Sequence, residues 1–311
     1  MFEENLAIGS LTQLSLASGI PSSVISSLVF EREGRYRKHF IAKRDGGART
    51  ISVPLPALLQ VQKTINKEIL STVDIHDAAV GFRKHHSIID HVKPHLGNKK
   101  FAKFDIKDCF GSIAFNAVFS IYLRITNDPA LANSLSELST DEGKLPQGAA
   151  TSPSLCNISL KFLDERIFGL CQRLGLTYTR YADDLLISGT KLDLYIYRTL
   201  KSYIEDCGFL TNEKSRLMED PQRLIICGIS ISESDLKLPK QKKRDIRQAA
   251  HFLVNRPIVS ESISDELFDP FHVDRVLGRL QFWRFVEPEA EFPIKYIPII
   301  KERIASQIDT Q

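Results

Sequence analysis

Apolar positions along the chain change period several times, and each change marks a new element. Residues 1–30 carry apolar side chains at helical spacing, with Pro21 suited to the first turn of a second helix. From His39 to Val53, two β-prone runs flank Asp45-Gly46-Gly47, which predicts a hairpin. Helical spacing returns over Leu55–Leu70, and a short helix is expected near Ile88–Leu96. Phe101–Ile106 reads as a strand. The spacing over Ser154–Leu170 predicts a helix with Leu155, Ile158, Phe162 and Leu163 facing a core. Leu176–Ala182 and Leu185–Ser188 read as two strands meeting at Asp183-Asp184, and Leu192–Cys207 as a helix. Leu224–Ile231 and Leu236–Leu238 have the look of short strands. From Lys240 the pattern is helical, broken at Pro257, Pro270 and Pro288. This layout is an α+β core with a helical tail. No internal repeat or low-complexity tract is present, which argues against a solenoid.

Composition narrows the class. The 311 residues suffice for two or three packed subdomains, and 43% hydrophobic with 25% charged residues is ordinary for a soluble globular protein. No apolar run approaches the ~20 residues of a membrane span. The first residues carry two Glu and no basic stretch, so no secretory signal is expected. Cysteines stand at 109, 156, 171, 207 and 227, odd in number and without a C-x-x-C. That argues against a disulfide framework or a zinc site and for a reducing, cytoplasmic setting. A net charge of +3 says nothing about nucleic acid, but its distribution does: Lys237 to Arg256 holds seven basic residues and one acidic one. If a helix begins after Pro239, then Lys240, Lys243, Arg244 and Arg247 share a face suited to phosphate contact. A solvated helix face gives the same pattern.

The candidate chemistry lies in Arg180-Tyr-Ala-Asp-Asp-Leu-Leu-Ile-Ser188. Adjacent carboxylates repel and favour a cation, and oxygen ligands on a rigid turn suit Mg²⁺. Asp is also common in plain hairpin turns. A third carboxylate, Asp105, closes the predicted strand Phe101–Ile106. Together the three suit two metal ions that activate a 3′-hydroxyl and stabilise a pyrophosphate leaving group. Asp108 is a rival ligand, expected instead to serve as a turn or cap residue. Gln147 and Gly148, in Leu145-Pro-Gln-Gly-Ala-Ala-Thr-Ser-Pro153, precede a helix, where a glycine lets a base pair approach closely. His85 and His86 have no metal spacing with a carboxylate.

The order Phe-Asp-Ile-x-x-x-Phe, Leu-Pro-Gln-Gly-x-x-x-Ser-Pro, Tyr-Ala-Asp-Asp resembles that of reverse transcriptases over nearly the whole chain. Gly81-Phe-Arg-Lys-His-His-Ser-Ile-Ile and Pro94-His95-x-Gly97 ahead of Asp105 resemble the bacterial retron group. The resemblance implies a right-hand polymerase: N-terminal helices and fingers over 1–100, palm over 101–235 with part of the fingers near 115–150, and a small helical thumb over 236–311. It implies two Mg²⁺ held by Asp105, Asp183 and Asp184, with the Ile106 carbonyl completing a coordination sphere. Phe110 would exclude a 2′-hydroxyl, Gln147 and Gly148 would line the templating pair, and Lys43 and Arg49 would hold the incoming triphosphate. Lys214 resembles a lysine that protonates pyrophosphate. Ile226-Cys227-Gly228 lies where a primer-contacting hairpin is expected, and His95 and the Lys240–Arg247 face would contact RNA.

The same resemblance implies the partners: a structured non-coding RNA as template and primer, its DNA product, dNTPs, and a separate defence effector. The product would be short single-stranded msDNA made for anti-phage defence. Two segments depart from the retron pattern. His91-Val-Lys-Pro-His95 keeps only the His of Asn-Ala-x-x-His, and Ile226-Cys227-Gly228 keeps only the Gly of Val-Thr-Gly. Another bacterial defence or intron-derived reverse transcriptase is the alternative within the class. An RNA- and effector-binding scaffold is the alternative outside it.

Overall fold

The chain alternates short helices and antiparallel strands up to about residue 240, and the described residues after that are mostly helical. A computed structural model describes residues 8–42, 46–221, 224–232, 234–255 and 271–308. These fall into two units, residues 1–91 with 99–219, and residues 92–98 with 220–311.

The first unit opens with α1 (Leu11–Ser18) and α2 (Ser22–Phe30), Pro21 standing at the N-cap of the second. The hairpin follows as β1 (Tyr36–Ala42) and β2 (Ala48–Pro54), paired Tyr36↔Pro54 through Ala42↔Ala48. Then come α3 (Pro56–Glu68) and α4 (Ile88–Val92), α3 burying Leu58, Val61 and Ile65. Strand β3 (Lys100–Asp105) leads into α5 (Phe115–Thr126) and α6 (Pro129–Ser139). Helices α7 (Ser152–Ser159) and α8 (Lys161–Leu174) precede β4 (Thr177–Tyr181) and β5 (Asp184–Ser188). Helix α9 (Leu194–Asp206) starts on an Asp193 cap whose carboxylate accepts from the Ile196 amide at 2.8 Å, and β6 (Arg216–Glu219) closes the unit.

One antiparallel sheet, ordered β4-β5-β3-β6, organises this unit. Ala102 and Phe104 sit opposite Ile187 and Leu185, and all four are fully buried in the main core. Because strand side chains alternate, Lys103, Asp105 and Asp184 share the opposite face. Phe104 stacks on Tyr197 of α9 at 4.8 Å, fixing that helix beneath the sheet.

The second unit holds a small sheet of β7 (Leu224–Ile226), β8 (Ile229–Ile231) and β9 (Leu236–Lys237). Helices α10 (Lys240–Asn255), α11 (His272–Val286) and α12 (Glu291–Ile308) follow. Their core includes Ile246, Leu253, Val276, Leu280 and Trp283, with Trp283, Phe292 and Tyr296 stacked in series at 5.5 and 4.2 Å. Among the described residues no single helix is long and apolar enough to cross a membrane. The five cysteines are free.

Two expectations are corrected. The helix over Ser154–Leu170 is two helices, broken at the buried Leu160. The break resets the helical phase and leaves Phe162 63% exposed rather than in the core. Leu224–Ile231 is not one strand but a hairpin, because Cys227 and Gly228 take φ of 48° and 80° and reverse the chain. Pro298 lies inside α12. Pro288 does separate α11 from α12, whereas Pro257 and Pro270 lie outside the described residues.

Candidate active site

Strand pairing alone assembles the carboxylates. Asp105 and Asp184 are direct partners across β3 and β5. Tyr181 pairs with Asp184, so Ala182 and Asp183 form a two-residue turn. The Ile106 amide donates to the Asp183 carbonyl at 3.0 Å, tying that turn to the end of β3. Behind Asp105 lies the segment 210–215. Ser215 Oγ accepts from the Asp105 amide at 3.1 Å, and the Asn212 amide donates to the Asp105 carbonyl at 2.7 Å. Asn212 Nδ2 reaches Asp105 Oδ1 at 3.5 Å.

The electrostatics favour a cation. Burial lifts the Asp105 carboxyl above its ordinary range, the Asp184 charge adds to this, and Lys103, Asn212 and Lys214 oppose it. Burial likewise lifts Asp183, with Asp184 and Asp105 adding and Arg49 opposing. Repulsion of this kind is relieved by protonation or by metal. Asp184 Oδ1 meanwhile faces the ammonium of Lys103 at 2.9 Å, both side chains about four-fifths buried. As the side chains stand, no three His, Cys, Asp or Glu among the described residues close round one point. The donor set is nevertheless all oxygen, and Mg²⁺ binds through one or two carboxylates plus water and substrate phosphates, so these residues fit it.

The other expected site residues fall as follows. Arg49 is an exposed residue of β2, and its charge reaches Asp183. Lys43 lies outside the described residues. Exposed Lys214 reaches Asp105 electrostatically. Phe110 is half-buried, its ring 6.2 Å from that of Phe82. Asp108 sits in the turn after β3 at φ 45°, its carbonyl accepting from the Ser112 amide at 2.8 Å. The Gln147 carbonyl accepts from the Ser52 amide at 2.7 Å. A Cβ on Gly148, whose φ is 121°, would stand 2.6 Å from the Ser52 carbonyl oxygen. Glycine is needed there for the approach of β2. Gln62 holds the same loop, accepting from the Ala150 amide at 3.1 Å and donating to the Leu138 carbonyl at 2.8 Å.

In the second unit His95 is fully buried, so it is a core position and presents no side chain to RNA. Lys240 and Arg244 are exposed. Lys243 instead pairs with Glu287 at 2.6 Å and lies over Trp283, and Arg247 packs over Trp283 and Phe292 at 5.1 and 5.6 Å. Lys243 is thus engaged with the helical core, whereas Arg247 remains exposed.

Several site residues escaped the reading of the sequence. Lys103 carries the signal, in hindsight, of i−2 spacing from Asp105 on a strand, which places both on one face. His91 lies fully buried beside β4, its Nδ1 2.8 Å from Thr179 Oγ1. Burial pushes its pKa down to about 4, against the pull of Asp184. Arg180 and Asp164 form a fully buried ion pair at 2.7 Å that no local pattern announces.

The chain is similar to known proteins over most of its length. The profile of the family "Reverse transcriptase (RNA-dependent DNA polymerase)" matches residues 41–249. The retron Ec86 reverse transcriptase of Escherichia coli is 29% identical over 251 residues, 79% of this chain and 78% of that protein. The retron Mx65 and Mx162 reverse transcriptases of Myxococcus xanthus are 30% and 29% identical, covering 76% and 80% of this chain and 61% of each relative. Among solved structures, telomerase from Candida albicans in complex with a TWJ fragment of telomeric RNA matches 91% of this chain and 59% of its own, at 13% identity and a TM-score of 0.49. The foamy viral protease-reverse transcriptase in complex with double-stranded DNA matches at a TM-score of 0.47, over 41% of its length.

Proposed function

We propose, of a chain that belongs to the reverse transcriptase (RNA-dependent DNA polymerase) family and is of the retron type, that it copies a structured non-coding RNA into short single-stranded DNA at Asp105, Asp183 and Asp184. The observation that carries the reading is the register pairing of Asp105 with Asp184, with Asp183 in the adjoining turn. Two bound Mg²⁺ would activate the attacking hydroxyl and neutralise charge on the pyrophosphate. The protein's part is to hold those ions and the reacting groups. Arg49 contributes positive charge for the triphosphate, Lys214 a proton donor for the leaving group, and Phe110 a wall against a 2′-hydroxyl. Gln147 and Gly148 orient the templating base, and the Ile106 carbonyl would be a further oxygen ligand for a bound ion. Lys240 and Arg244 grip RNA phosphates.

In this reading the first unit supplies fingers and palm, and α10–α12 supply the thumb. The RNA provides its own 2′-hydroxyl primer, the product is msDNA, and a separate effector uses it in anti-phage defence in the cytoplasm. Two measurements test this. Asp183→Asn should leave the fold intact and lower primer extension by roughly 10³-fold or more. Near-wild-type extension would sink the site assignment. Sequencing nucleic acid that copurifies with the protein should recover an RNA joined to short DNA. RNA without attached DNA, together with normal function in the Asp183→Asn variant, would favour the scaffold reading.

A further inference from the structure

The turn that carries Asp183 stands on a buried charge. Arg180 is fully buried on the core side of β4, on the face opposite Asp105 and Asp184. Each guanidinium nitrogen donates a hydrogen bond. Nε and Nη2 donate to the two oxygens of Asp164 at 2.8 and 2.7 Å, and Nη1 donates to Asn157 Oδ1 and to the Ala182 carbonyl, each at 3.0 Å. Tyr178 Oη donates to Asp164 at 2.7 Å, and Asn157 Nδ2 donates to the Gly81 carbonyl at 2.9 Å. Burial alone would lower the Arg180 pKa, but the Asp164 charge outweighs it and keeps the guanidinium firmly cationic.

The Ala182 contact matters most. Ala182 takes φ 57°, a left-handed conformation that a Cβ makes costly, and no glycine relieves it. Such a residue persists only where its surroundings over-determine it. Here they do so from two sides. Arg180 holds the carbonyl of Ala182, and a Cβ on Gly81 would come within 2.5 Å of the Ala182 amide nitrogen, so the Gly81 backbone is pressed against the same residue. The peptide that Arg180 grips is the one linking Ala182 to Asp183, so its rotation would swing the Asp183 carboxylate. Stability alone is a poor reason for this arrangement, since apolar residues of similar volume often replace a buried ion pair without loss.

We propose that Arg180, fixed by Asp164 and Asn157, is a positioning residue that sets the angle at which Asp183 meets metal. The proposal rests on the reading of Asp183 as a metal-binding carboxylate. Its test is the combined variant Asp164→Leu, Tyr178→Phe, Arg180→Met, which removes the buried charges together and frees the Ala182 carbonyl from the guanidinium. The protein is measured with a template–primer duplex by thermal melting, Mn²⁺ binding and single-turnover extension.

The expected result is a melting temperature close to wild type, a rate about 10²-fold lower, weaker Mn²⁺ binding, and a KM for dNTP within about threefold of wild type. A folded variant with wild-type rate and Mn²⁺ affinity would overturn the proposal. If the combined variant does not fold, Asn157→Ala decides. It keeps the ion pair but frees one guanidinium contact and the Gly81 carbonyl, and should slow extension about tenfold and weaken Mn²⁺ binding while the protein still melts cooperatively. Unchanged rate and Mn²⁺ binding in that variant would also overturn it. Asp183→Asn, run alongside, separates the two readings. If it extends primers normally, the carboxylate assignment fails. If it is inactive while the clamp variant is fully active, only the clamp fails.

Discussion

Two hairpins in this protein reverse the chain in two residues and do so by different means. Between β7 and β8 the turn is Cys227-Gly228, with φ of 48° and 80°. Two left-handed residues in succession, the second a glycine, match the twist of the flanking strands by their own geometry. Between β4 and β5 the turn is Ala182-Asp183, and Ala182 stands at φ 57° where such turns favour glycine. Its support comes from Arg180, Asp164, Asn157 and Gly81 instead. The first hairpin is specified by its own residues. The second is specified by residues up to about a hundred positions away, and it is the one that carries the carboxylates.

The comparison breaks most visibly at Arg180. Arg180→Met alone leaves Asp164 buried without its partner and should destabilise the protein by about 3–5 kcal/mol. Chemical denaturation measures this, and a loss under about 1 kcal/mol would mean that the pair is not buried in solution. His91, bonded to Thr179 in the same strand, comes next. Its folded pKa of about 4 lies below its ordinary 6.5, so the folded state resists protonation there. Its contribution is complete above pH 6.5 and is lost as pH falls toward 4, by roughly 3 kcal/mol. His91→Gln should flatten that part of the stability–pH curve relative to wild type. Identical curves would contradict the burial.

Smaller effects sharpen the contrast. Gly228→Ala should cost about 1 kcal/mol, because φ 80° disfavours any side chain. Ala182→Gly should change stability by less than about 0.5 kcal/mol, since relief of strain is offset by added freedom in the unfolded chain. A large gain there would show the turn to be less well held than its contacts imply. On α10, Lys243→Gln should cost about 1 kcal/mol by removing the ion partner of mostly buried Glu287, whereas Arg244→Gln should leave stability within about 0.5 kcal/mol. Arg244→Gln should instead reduce the salt dependence of RNA binding by about one unit of slope. An unchanged slope would remove Arg244 from the RNA surface.

Much of this was legible in the chain. The run Arg180–Ser188 announced two strands and a turn by its apolar flanks, and Phe101–Ile106 announced the partner strand that brings Asp105 to Asp184. Period-2 alternation is a local property, so the face on which the carboxylates sit follows from the sequence. The order of three motifs then pointed to the family. Less legible were the features where one residue interrupts a period. Leu160 splits a helix, and Cys227-Gly228 folds an apparent strand in two. Continuous apolar runs do not reveal such breaks, because both sides of the break are buried.

Charge was the least legible. Lys240, Lys243, Arg244 and Arg247 form one face by helical geometry, yet Trp283 and Glu287, on another helix and just beyond its end, decide which of them stay free for a ligand. Gly148 has the form of a loop glycine making room for substrate, and the Ser52 carbonyl on β2 is a second neighbour that requires a glycine there. By itself the sequence determined the strands, the carboxylate turn and the family, because these depend on local period and on short motifs. The tertiary structure alone decided that Lys103 faces Asp184, that His95 is buried, and that Arg180 holds the Ala182 carbonyl. Those are contacts between residues distant in sequence or on different faces, and a charged side chain takes its role from the partner that packing brings to it.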